Sequence, residues 1–524
     1  MSDRTMQAVA DEVDLPPARR WAALAVLSLS LLAVVMDMTV LNVALPDLAA
    51  DVQPSATQQL WIVDAYSLVL AGLLVSASAL ADRWGRKRLL LAGFAVFAVA
   101  SMLVLVADSP EAVIAVRALL GLGGAMIMPT TLSMVRVVFR NPAERATALG
   151  IWASVTALGA AIGPIVGGLL LEHFSWHAAF LVNVPLMVVG LAFGAWLLPE
   201  SRVPTAGRWD LLASLLSITG MVALVWAIKN MAKHYPDHGI ANPTAWAVFA
   251  AGAGLLTWFT MRCLRRPDPL LDVRLFTRRS FTAGTVAALA AMFAMAALLL
   301  LGAQWLQLVQ GRSPLSAGVH LLPLAAGGAV TSITAPALAT RIGARAVLAG
   351  GLAVSGIGFL LLYLAPAPLG YGWVAAALAV LGAGAGSLAI ASALIMSGSP
   401  PEKAGSAAAI EETAYDLGNV LGVAILGSVA ALVYRDGLHL DAVTAGLPPS
   451  DELSAAVRVS EESLGGAMEV ASRADLPELA VHAQDAFTES FTTIGLLGGV
   501  ALLGVAALVA ALTPRDVDIT VQHH

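Results

Sequence analysis

Cysteine and charge are both scarce in this chain of 524 residues. Cys263 is the single cysteine, which excludes an internal disulfide and a thiolate cluster for a metal. Charged residues make up only 12% of the sequence, whereas an average soluble domain has about 25%. Because 58% of the residues are hydrophobic, too little polar surface remains to cover a water-soluble globule. The composition predicts a polytopic membrane protein.

Further absences narrow the function. The sequence has no GxxxxGK[ST] phosphate-binding loop, so no nucleotide cofactor is expected. If the protein moves a solute against its gradient, we expect the proton gradient to supply the energy. The net charge is only -6, and the basic residues lie in short loops, so we expect no nucleic-acid partner. The first apolar run lasts about 25 residues, longer than a signal-peptide core of about 7 to 15, and is expected to remain as a span.

Apolar segments of helical length recur along the chain, separated by proline, glycine or charged residues. A helix of about 20 apolar residues crosses a bilayer. Fourteen spans are predicted, near residues 21–45, 58–80, 88–107, 112–137, 144–170, 177–198, 211–231, 243–263, 280–305, 316–339, 345–364, 372–396, 404–434 and 486–512. The even number places both termini on one side of the membrane.

Lysine and arginine are distributed unequally between the two sides. If the N-terminus is cytoplasmic, most of the 29 basic residues fall in cytoplasmic segments, while Lys229 is counted among the few outside. Arg117, in the fourth span, is the only basic residue expected deep in the membrane. The positive-inside rule therefore predicts a multi-pass plasma-membrane protein with both termini cytoplasmic.

The two halves of the sequence resemble each other. LADRWGRKRLL at 80–90 matches LATRIGARAVL at 338–348, and LGAAIGPIVGG at 158–168 matches LGNVLGVAILG at 417–427, at nearly one offset. Transporter folds are commonly built from such repeats. We expect a cytoplasmic tail (1–20), an N-terminal six-helix bundle (21–200), two inserted helices with linkers (201–279), a C-terminal six-helix bundle (280–512) and a second cytoplasmic tail (513–524).

One long segment, residues 435–485, separates the last two spans and is rich in Asp, Glu, Ser and Ala. It contains a weakly amphipathic stretch from Leu453 to Ser472. Loops of this length are usually functional or disordered, and we expect a partly ordered external cap.

Five acidic residues fall inside the predicted spans, namely Asp37, Asp64, Glu411, Glu412 and Asp416. Each costs roughly 2.5–3.5 kcal/mol near the bilayer centre, so an intramembrane acid is by default a functional hypothesis. All five charged and unpaired would cost on the order of 12–17 kcal/mol, comparable with the stability of a whole domain. Either some of them carry protons, or they face a wet cavity or a cation.

Spacing separates the acids of span 13. Glu412 and Asp416 are four residues apart and Asn419 is three further on, so these three share one helical face. Glu411 is turned away from it. Arg117 in span 4 is expected near Asp37, either to couple the titration of that acid to helix movement or to form a structural ion pair.

The loop SALADRWGRKRLL between spans 2 and 3 is similar to the signature loop of the major facilitator superfamily, GxLADRxGRK, with Ser78 in place of the first Gly. The match rests on Asp82, Arg83, Gly85 and Arg86. Gly85 suits a tight turn, and Asp82 can accept hydrogen bonds at a helix N-terminus. The cluster is expected to latch the two halves on the cytoplasmic side, the alternative being a simple positive-inside anchor.

Span 5 contains GAAIGPIVGG, which resembles the antiporter signature of the same superfamily. Small residues at four-residue spacing allow close helix approach, and a proline bends a helix. A generic packing face is the alternative interpretation. The residues concerned are Gly159, Gly163, Pro164, Gly167 and Gly168.

Other segments resemble one family more narrowly. MDMTVLNVALP in span 1 and WIVDAYSL in span 2 are similar to patterns of the 14-helix drug/proton antiporters, and residues 405–427 to bacterial quaternary-ammonium and multidrug efflux pumps. In span 4, RALLGLGGA resembles a motif of proton-coupled antiporters, with Leu120 where glutamine is common. The likeness implies an all-α major facilitator fold of two six-helix bundles plus two inserted helices.

The resemblance also implies roles. In the resembled pumps the second Glu and the Asp of EExxYDLG are associated with coupling and cation binding, which here are Glu412 and Asp416. Proton coupling is expected from Asp37, Glu412 and Arg117. Substrate binding is expected from Asp416, Asp64, Glu411, Tyr66, Trp61, Tyr415 and Asn419. Some family members that recognise many dications carry an acidic residue in span 10. Here span 10 has no acidic residue. Either this protein accepts fewer dications, or a carboxylate elsewhere takes that role.

These features predict a proton-coupled antiporter of the bacterial plasma membrane that exports lipophilic or quaternary ammonium cations and related drugs by alternating access. No covalent chemistry and no metal are expected. The partners are cationic drugs or dyes, protons and membrane lipid, and the chain is expected to be a monomer. One alternative is export of a lipid, neutral antibiotic or siderophore on the same scaffold. A receptor or channel is disfavoured by the span 5 signature and the buried acids.

Overall fold

The protein is almost entirely helical. The computed structural model describes residues 16–139, 141–202, 210–233, 242–266, 269–400, 403–438 and 451–514, and these ranges contain no strand. Thirteen of the described helices are long and apolar enough to cross a membrane. The remaining predicted span, span 5, is the helix Pro142–His173, which contains the shorter apolar helix Ile162–His173. Every predicted span is therefore helical.

The helices extend past the predicted apolar limits at several ends. Spans 1 to 8 are Pro17–Val52, Ala56–Trp84, Arg86–Leu103, Pro110–Val138, Pro142–His173, Asn183–Leu197 with the short Ala178–Leu181 before it, Leu211–Lys233 and Pro243–Arg265. Spans 9 to 14 are Arg279–Gln304 continued by Trp305–Val309, Pro314–His320 with Leu322–Ile342, Ala344–Tyr363, Tyr371–Ala385 with Leu388–Ser397, Ala404–Gly422 continued to Gly437, and Pro477–Leu512. Since the spans alternate in direction, the side where span 1 begins is called the termini side, and the opposite side the loop side.

Two large hydrophobic clusters organise the helices into two bundles. One gathers side chains of spans 1 to 6 around residues such as Phe94 and Phe97. The other gathers side chains of spans 9 to 14 around Trp305 and Phe491. The predicted fold class, two six-helix bundles with two inserted helices between them in the chain, is confirmed.

The inserted spans 7 and 8 pack on each other and also reach both bundles. Met221 and Val225 of span 7 share a small cluster with Leu68 of span 2 and with Val420 of span 13. Span 7 therefore lies over the seam where span 2 of the first bundle meets span 13 of the second.

Ion pairs fix the termini-side ends of the inserted helices. Asp210, just before span 7, accepts hydrogen bonds from Arg262 Nε at 2.8 Å and Nη2 at 2.9 Å, near the end of span 8. Burial would raise the pKa of Asp210, but the bonds to Arg262 outweigh it and hold the pKa below its usual value. Asp272 in the following linker pairs with Lys403 before span 13, and its pKa is likewise lowered by that lysine against the effect of burial.

The internal repeat is visible in the backbone. Gly85 and Gly343, which occupy matching positions of the two repeats, both have positive φ, 119° and 87°. Each is the residue that ends one span and begins the next, between spans 2 and 3 and between spans 10 and 11. This left-handed conformation suits glycine, so the same tight turn is built at both places.

The loop side carries a helical cap. The expected loop 435–485 is shorter in the structure, because span 14 begins at Pro477. The amphipathic stretch forms two helices, Asp451–Glu462 and Leu464–Arg473, separated at Ser463, whose side chain caps the second helix. The cap reaches the first bundle, where Gln53 Nε2 donates to Glu469 at 3.0 Å. Residues 439–450 of the segment lie outside the described ranges.

The two bundles also meet directly on the loop side. Gln307 at the end of span 9 donates to the carbonyl oxygen of Val43 in span 1 at 3.0 Å. Gly318 in span 10 leaves no room for a side chain against the backbone of Pro164 in span 5. The bundles are therefore closed against each other at this end.

Close packing of span 13 on span 9 gives the first prediction. A methyl group at Gly422 would overlap the carbonyl oxygen of Phe293. Gly422→Ala should therefore lower stability by about 1–3 kcal/mol, the usual penalty of overpacking, measured as thermal or denaturant unfolding in detergent. Gly504→Ala in span 14 is the matched control, since nothing lies within 4 Å of a methyl group there. Equal stability of the two variants would contradict the close contact.

Candidate functional site

Asp37 is held by two donors from the same bundle. Its side chain is 3% exposed, and Arg117 Nη1 of span 4 donates to Oδ2 at 2.7 Å. Asn183 Nδ2, at the start of the main helix of span 6, donates to Oδ1 at 2.7 Å. Both oxygens are thus satisfied, and the proximity of Arg117 to Asp37 expected from the sequence is present.

Tyr66 extends this network along span 2. The Arg117 guanidinium lies 4.6 Å from the centroid of the Tyr66 ring, and Arg117 Nε donates to the carbonyl oxygen of Ile62 at 3.1 Å. The Tyr66 hydroxyl donates to the carbonyl oxygen of Val34 at 3.1 Å. Arg117 is therefore fixed on three sides by spans 1 and 2, and a small shift of either span would change the surroundings of Asp37.

Asp64 is paired with a residue that the sequence analysis placed elsewhere. Lys229 Nζ lies 2.7 Å from Asp64 Oδ2, and both side chains are almost completely buried. The same ammonium lies 4.2 Å from the centroid of the Trp61 ring. Counting Lys229 among the outside loop residues was therefore wrong, and so was taking Arg117 as the only deep basic residue, because span 7 continues to Lys233.

Glu411 is also partnered, through its own helix. It is 8% exposed, and the hydroxyl of Tyr415, one turn further on, donates to Oε1 at 2.7 Å. The two residues predicted as ligands of a cation thus bind each other, on the side of span 13 turned away from Glu412.

Asp416 differs from these acids. It is 2% exposed, and its Oδ2 has no hydrogen-bond partner among the described residues. Glu412 is half-buried one turn earlier on the same face, followed by the half-buried Asn419. Val420, one turn after Asp416, packs with Leu68 of span 2. Across the described part of the chain, no lysine or arginine lies within ion-pair distance of Glu412 or Asp416.

The arrangement brings most of the expected residues to the seam between the bundles. Asp37, Arg117 and Tyr66 form one connected group in the first bundle, and span 13, which carries Asp416, packs on span 2 of that bundle. Trp61 and Asp64 lie nearby under span 7. Sequence reasoning missed Asn183 and Lys229. Each is a polar residue inside an otherwise apolar run, and this pattern could have identified both as candidate site residues from the sequence.

The signature loop between spans 2 and 3 makes its contacts with the end of span 6. In the loop between spans 2 and 3, Gly85 makes the turn and the Arg86 amide donates to the carbonyl oxygen of Ser201 at 3.0 Å. Arg88 pairs with Glu200 at 3.6 Å, which is in the same bundle. Arg83 is exposed. The side chain of Asp82 lies outside the described part, so the proposed latch between the halves stays a prediction.

The small residues of span 5 form a packing face. Gly159 and Gly167 lie against Val35 and Val40 of span 1, and Gly163 against Thr39. Gly168 lies against the backbone of Leu315 at the start of span 10, close to the contact of Pro164 with Gly318. The close approach predicted for this motif is present. Its role in antiport stays a prediction.

Two further observations bear on what the site can hold. Within the described residues no group of three or more His, Cys, Asp or Glu side chains is arranged to hold a metal ion. A small cavity on the loop side is lined by residues including Leu60, Gln304, Tyr434 and Glu462 of the cap. It is distinct from the acids of the seam, which lie deeper.

A helical membrane protein with two repeated six-helix bundles and buried acids at their seam is a transporter rather than an enzyme. The chain belongs to the Major Facilitator Superfamily, whose sequence profile matches residues 27–423. It is 42% identical over 505 residues to the multidrug efflux pump LfrA of Mycolicibacterium smegmatis, covering 95% of this chain and 97% of that protein.

Two other comparisons are consistent with this family membership. The chain is 38% identical over 429 residues to the methyl viologen resistance protein SmvA of Salmonella typhimurium, covering 81% of this chain and 85% of that protein. The fold is similar to the crystal structure of a bacterial homologue of the human lysosomal transporter Spinster, with a TM-score of 0.65, 17% identity and coverage of 95% and 98%.

The buried pair of Asp37 and Arg117 gives the second prediction. Arg117→Met leaves Asp37 without its cation and should lower stability by about 3–5 kcal/mol. The double variant Asp37→Asn/Arg117→Met removes both charges and should recover a large part of that loss. Unfolding in detergent measures both, and Arg312→Met, at an exposed arginine, is the control. Additive losses in the double variant would show that the pair is not coupled.

Proposed function

We propose that this transporter exports lipophilic organic cations in exchange for protons. The observation that carries the proposal is Asp416, a buried carboxylate with one oxygen unpartnered among the described residues. A buried carboxylate is costly unless it is paired or neutralised. Asp416 is therefore stable with a proton or with a cation, and these two occupants exclude each other.

The neighbouring acids fit this exchange. Glu412 shares the face of Asp416, so the charge of one acid disfavours ionisation of the other, and a cation that binds one of them favours release of a proton. Asn419 lies on the same face and Trp61 packs with Val420 one turn beyond Asp416, so polar and aromatic contacts are available for an organic cation. The proposal therefore assigns Asp416 to substrate binding and Glu412 to coupling.

Asp37 provides a link between proton binding and movement. A proton on Asp37 removes the counter-charge of Arg117, whose other contacts are with Tyr66 and the backbone of span 2. The helices that hold Arg117 then lose their strongest electrostatic restraint. In this proposal protonation of Asp37 changes how span 1 packs against spans 2 and 4.

The contacts between the bundles define the conformation. They are tight on the loop side, at Gln307 with Val43 and at Gly318 with Pro164. With the termini placed in the cytoplasm of a bacterial cell, as the basic residues suggest, these contacts close the seam on its outer side. Opening the loop side would complete alternating access.

The relatives support export of drugs. LfrA is a multidrug efflux pump by name, and SmvA confers resistance to methyl viologen, as its name states. The sequence has no phosphate-binding loop for ATP, so we assign the energy source to the proton motive force. We further propose that the chain works as a monomer surrounded by membrane lipid.

A second candidate is export of a neutral antibiotic, with the acids serving coupling alone. The chain is 30% identical to the tetracenomycin C resistance and export protein of Streptomyces glaucescens over 415 residues. Resistance profiles separate the two functions. Protection of a susceptible host against quaternary ammonium dyes but not against neutral antibiotics favours cation export, and the reverse pattern favours the second candidate.

The third prediction tests cation–proton exchange. In everted vesicles, a quaternary ammonium dye should release protons through the wild-type protein. Asp416→Asn removes the charge while keeping the shape of the side chain, and should reduce the exchange at least about tenfold, the effect of roughly 1.4 kcal/mol of lost interaction.

The control for this test is Asp485→Asn, which neutralises an exposed acid near the start of span 14 and should leave exchange unchanged. Circular dichroism and the amount of protein in the membrane report folding of both variants. Full dye-driven proton release in folded Asp416→Asn would reject the assignment of the cation site. Absence of dye-driven proton release in the wild type would reject cation–proton exchange itself.

A further inference from the structure

Lys229 occupies a place suited to a cationic ligand. Its ammonium lies 2.7 Å from Asp64 Oδ2 and 4.2 Å from the centroid of the Trp61 ring. A carboxylate beside an aromatic face is an arrangement that binds organic ammonium ions. Here the cation belongs to the protein itself.

The pair lies at the seam used for transport in the proposed function. Trp61 packs in one cluster with Leu417 and Val420 of span 13, the helix that carries Asp416. Lys229 lies beside both Trp61 and Asp64, and Val420 is one helical turn after Asp416 on the same face of span 13. The carboxylate of Asp64 is therefore close to the face where a substrate would bind.

Lys229 is supplied by neither six-helix bundle. It is carried by the inserted span 7, which packs over spans 2 and 13. A buried ion pair adds little net stability compared with apolar residues of similar size, so stability alone does not account for a lysine here. The charge of Lys229 accounts for its presence, because the ammonium neutralises Asp64, one of the acids at the seam.

We propose that Asp64 and Trp61 form a second subsite for an organic ammonium group, and that Lys229 occupies this subsite and so limits the charge of accepted substrates. The inference rests on the proposed function in taking Asp416 as the primary cation site. A substrate with one positive charge needs only Asp416. The second ammonium of a bis-quaternary cation needs Asp64, which Lys229 already holds.

The fourth prediction compares two ligands of matched length. Hexyltrimethylammonium carries one quaternary ammonium group and hexamethonium carries one at each end of the same six-carbon chain. In Lys229→Gln, whose amide can still donate a hydrogen bond to Asp64, the affinity for hexamethonium relative to hexyltrimethylammonium should rise about 3- to 30-fold over wild type, the range of a desolvated cation–aromatic contact. Calorimetric titration of purified protein in lipid nanodiscs measures both ligands.

The double variant Lys229→Gln/Asp64→Asn is the control and should lose the gain. An unchanged affinity ratio in Lys229→Gln, with hexyltrimethylammonium still bound, overturns the second subsite while leaving the proposed function intact. If the wild type binds neither ligand, cation export itself is rejected, and the subsite is then judged by the following measurement alone.

That measurement does not depend on transport. Lys229→Ala removes the ammonium and its stem, and n-propylammonium has the size to replace them. The ligand should raise the thermal unfolding midpoint of Lys229→Ala, but not that of the wild type or of Lys229→Ala/Asp64→Asn. Absence of an Asp64-dependent rise overturns the subsite. If Lys229→Ala does not fold, the affinity ratio in Lys229→Gln decides.

Discussion

A carboxylate inside a membrane protein has to be paired, hydrogen-bonded or neutralised, and the arrangement of this transporter follows from how five acids meet that requirement. Asp37 binds Arg117 and Asn183, and Asp64 binds Lys229. Glu411 accepts a hydrogen bond from Tyr415. Within the described residues, only Glu412 and Asp416 have neither a basic partner nor a side-chain hydrogen-bond donor. Asp37 and Asp64 join helices to one another, Glu411 is satisfied within span 13, and the face of Glu412 and Asp416 is the one that the proposed function assigns to the proton and the cation.

The paired and unpaired acids also move with different parts of the protein. Gly418 and Gly422 pack span 13 directly on the backbone of span 9, so Asp416 is fixed within the second bundle. Asp37 and Arg117 are fixed within the first. In the proposed alternating access, movement of one bundle against the other changes the distance between these two groups.

The spans were predictable because length and hydropathy are local properties, and every predicted span is a helix. The residues that pair with the acids were less predictable than the spans. Arg117 could be placed near Asp37 through a family resemblance, but Asn183 and Lys229 lie 146 and 165 residues from their acids in sequence. The charge count assigned Lys229 to an outside segment although it falls within the predicted span 211–231, because a lysine near the end of an apolar run is usually interfacial. The break between the cap helices depends on Ser463, whose capping role only the backbone shows.

The same ion pairs determine to which bundle the inserted helices are attached. At the loop side, Lys229 ties span 7 to Asp64 of the first bundle, and at the termini side Asp210 ties span 7 to span 8. Its contacts with span 13 are aliphatic, at Val420 and Ala424, and aliphatic surfaces slide without breaking directional bonds. Spans 7 and 8 should therefore travel with the first bundle while span 13 moves past them. Because span 7 covers the seam between spans 2 and 13, this motion changes how much of that seam is covered.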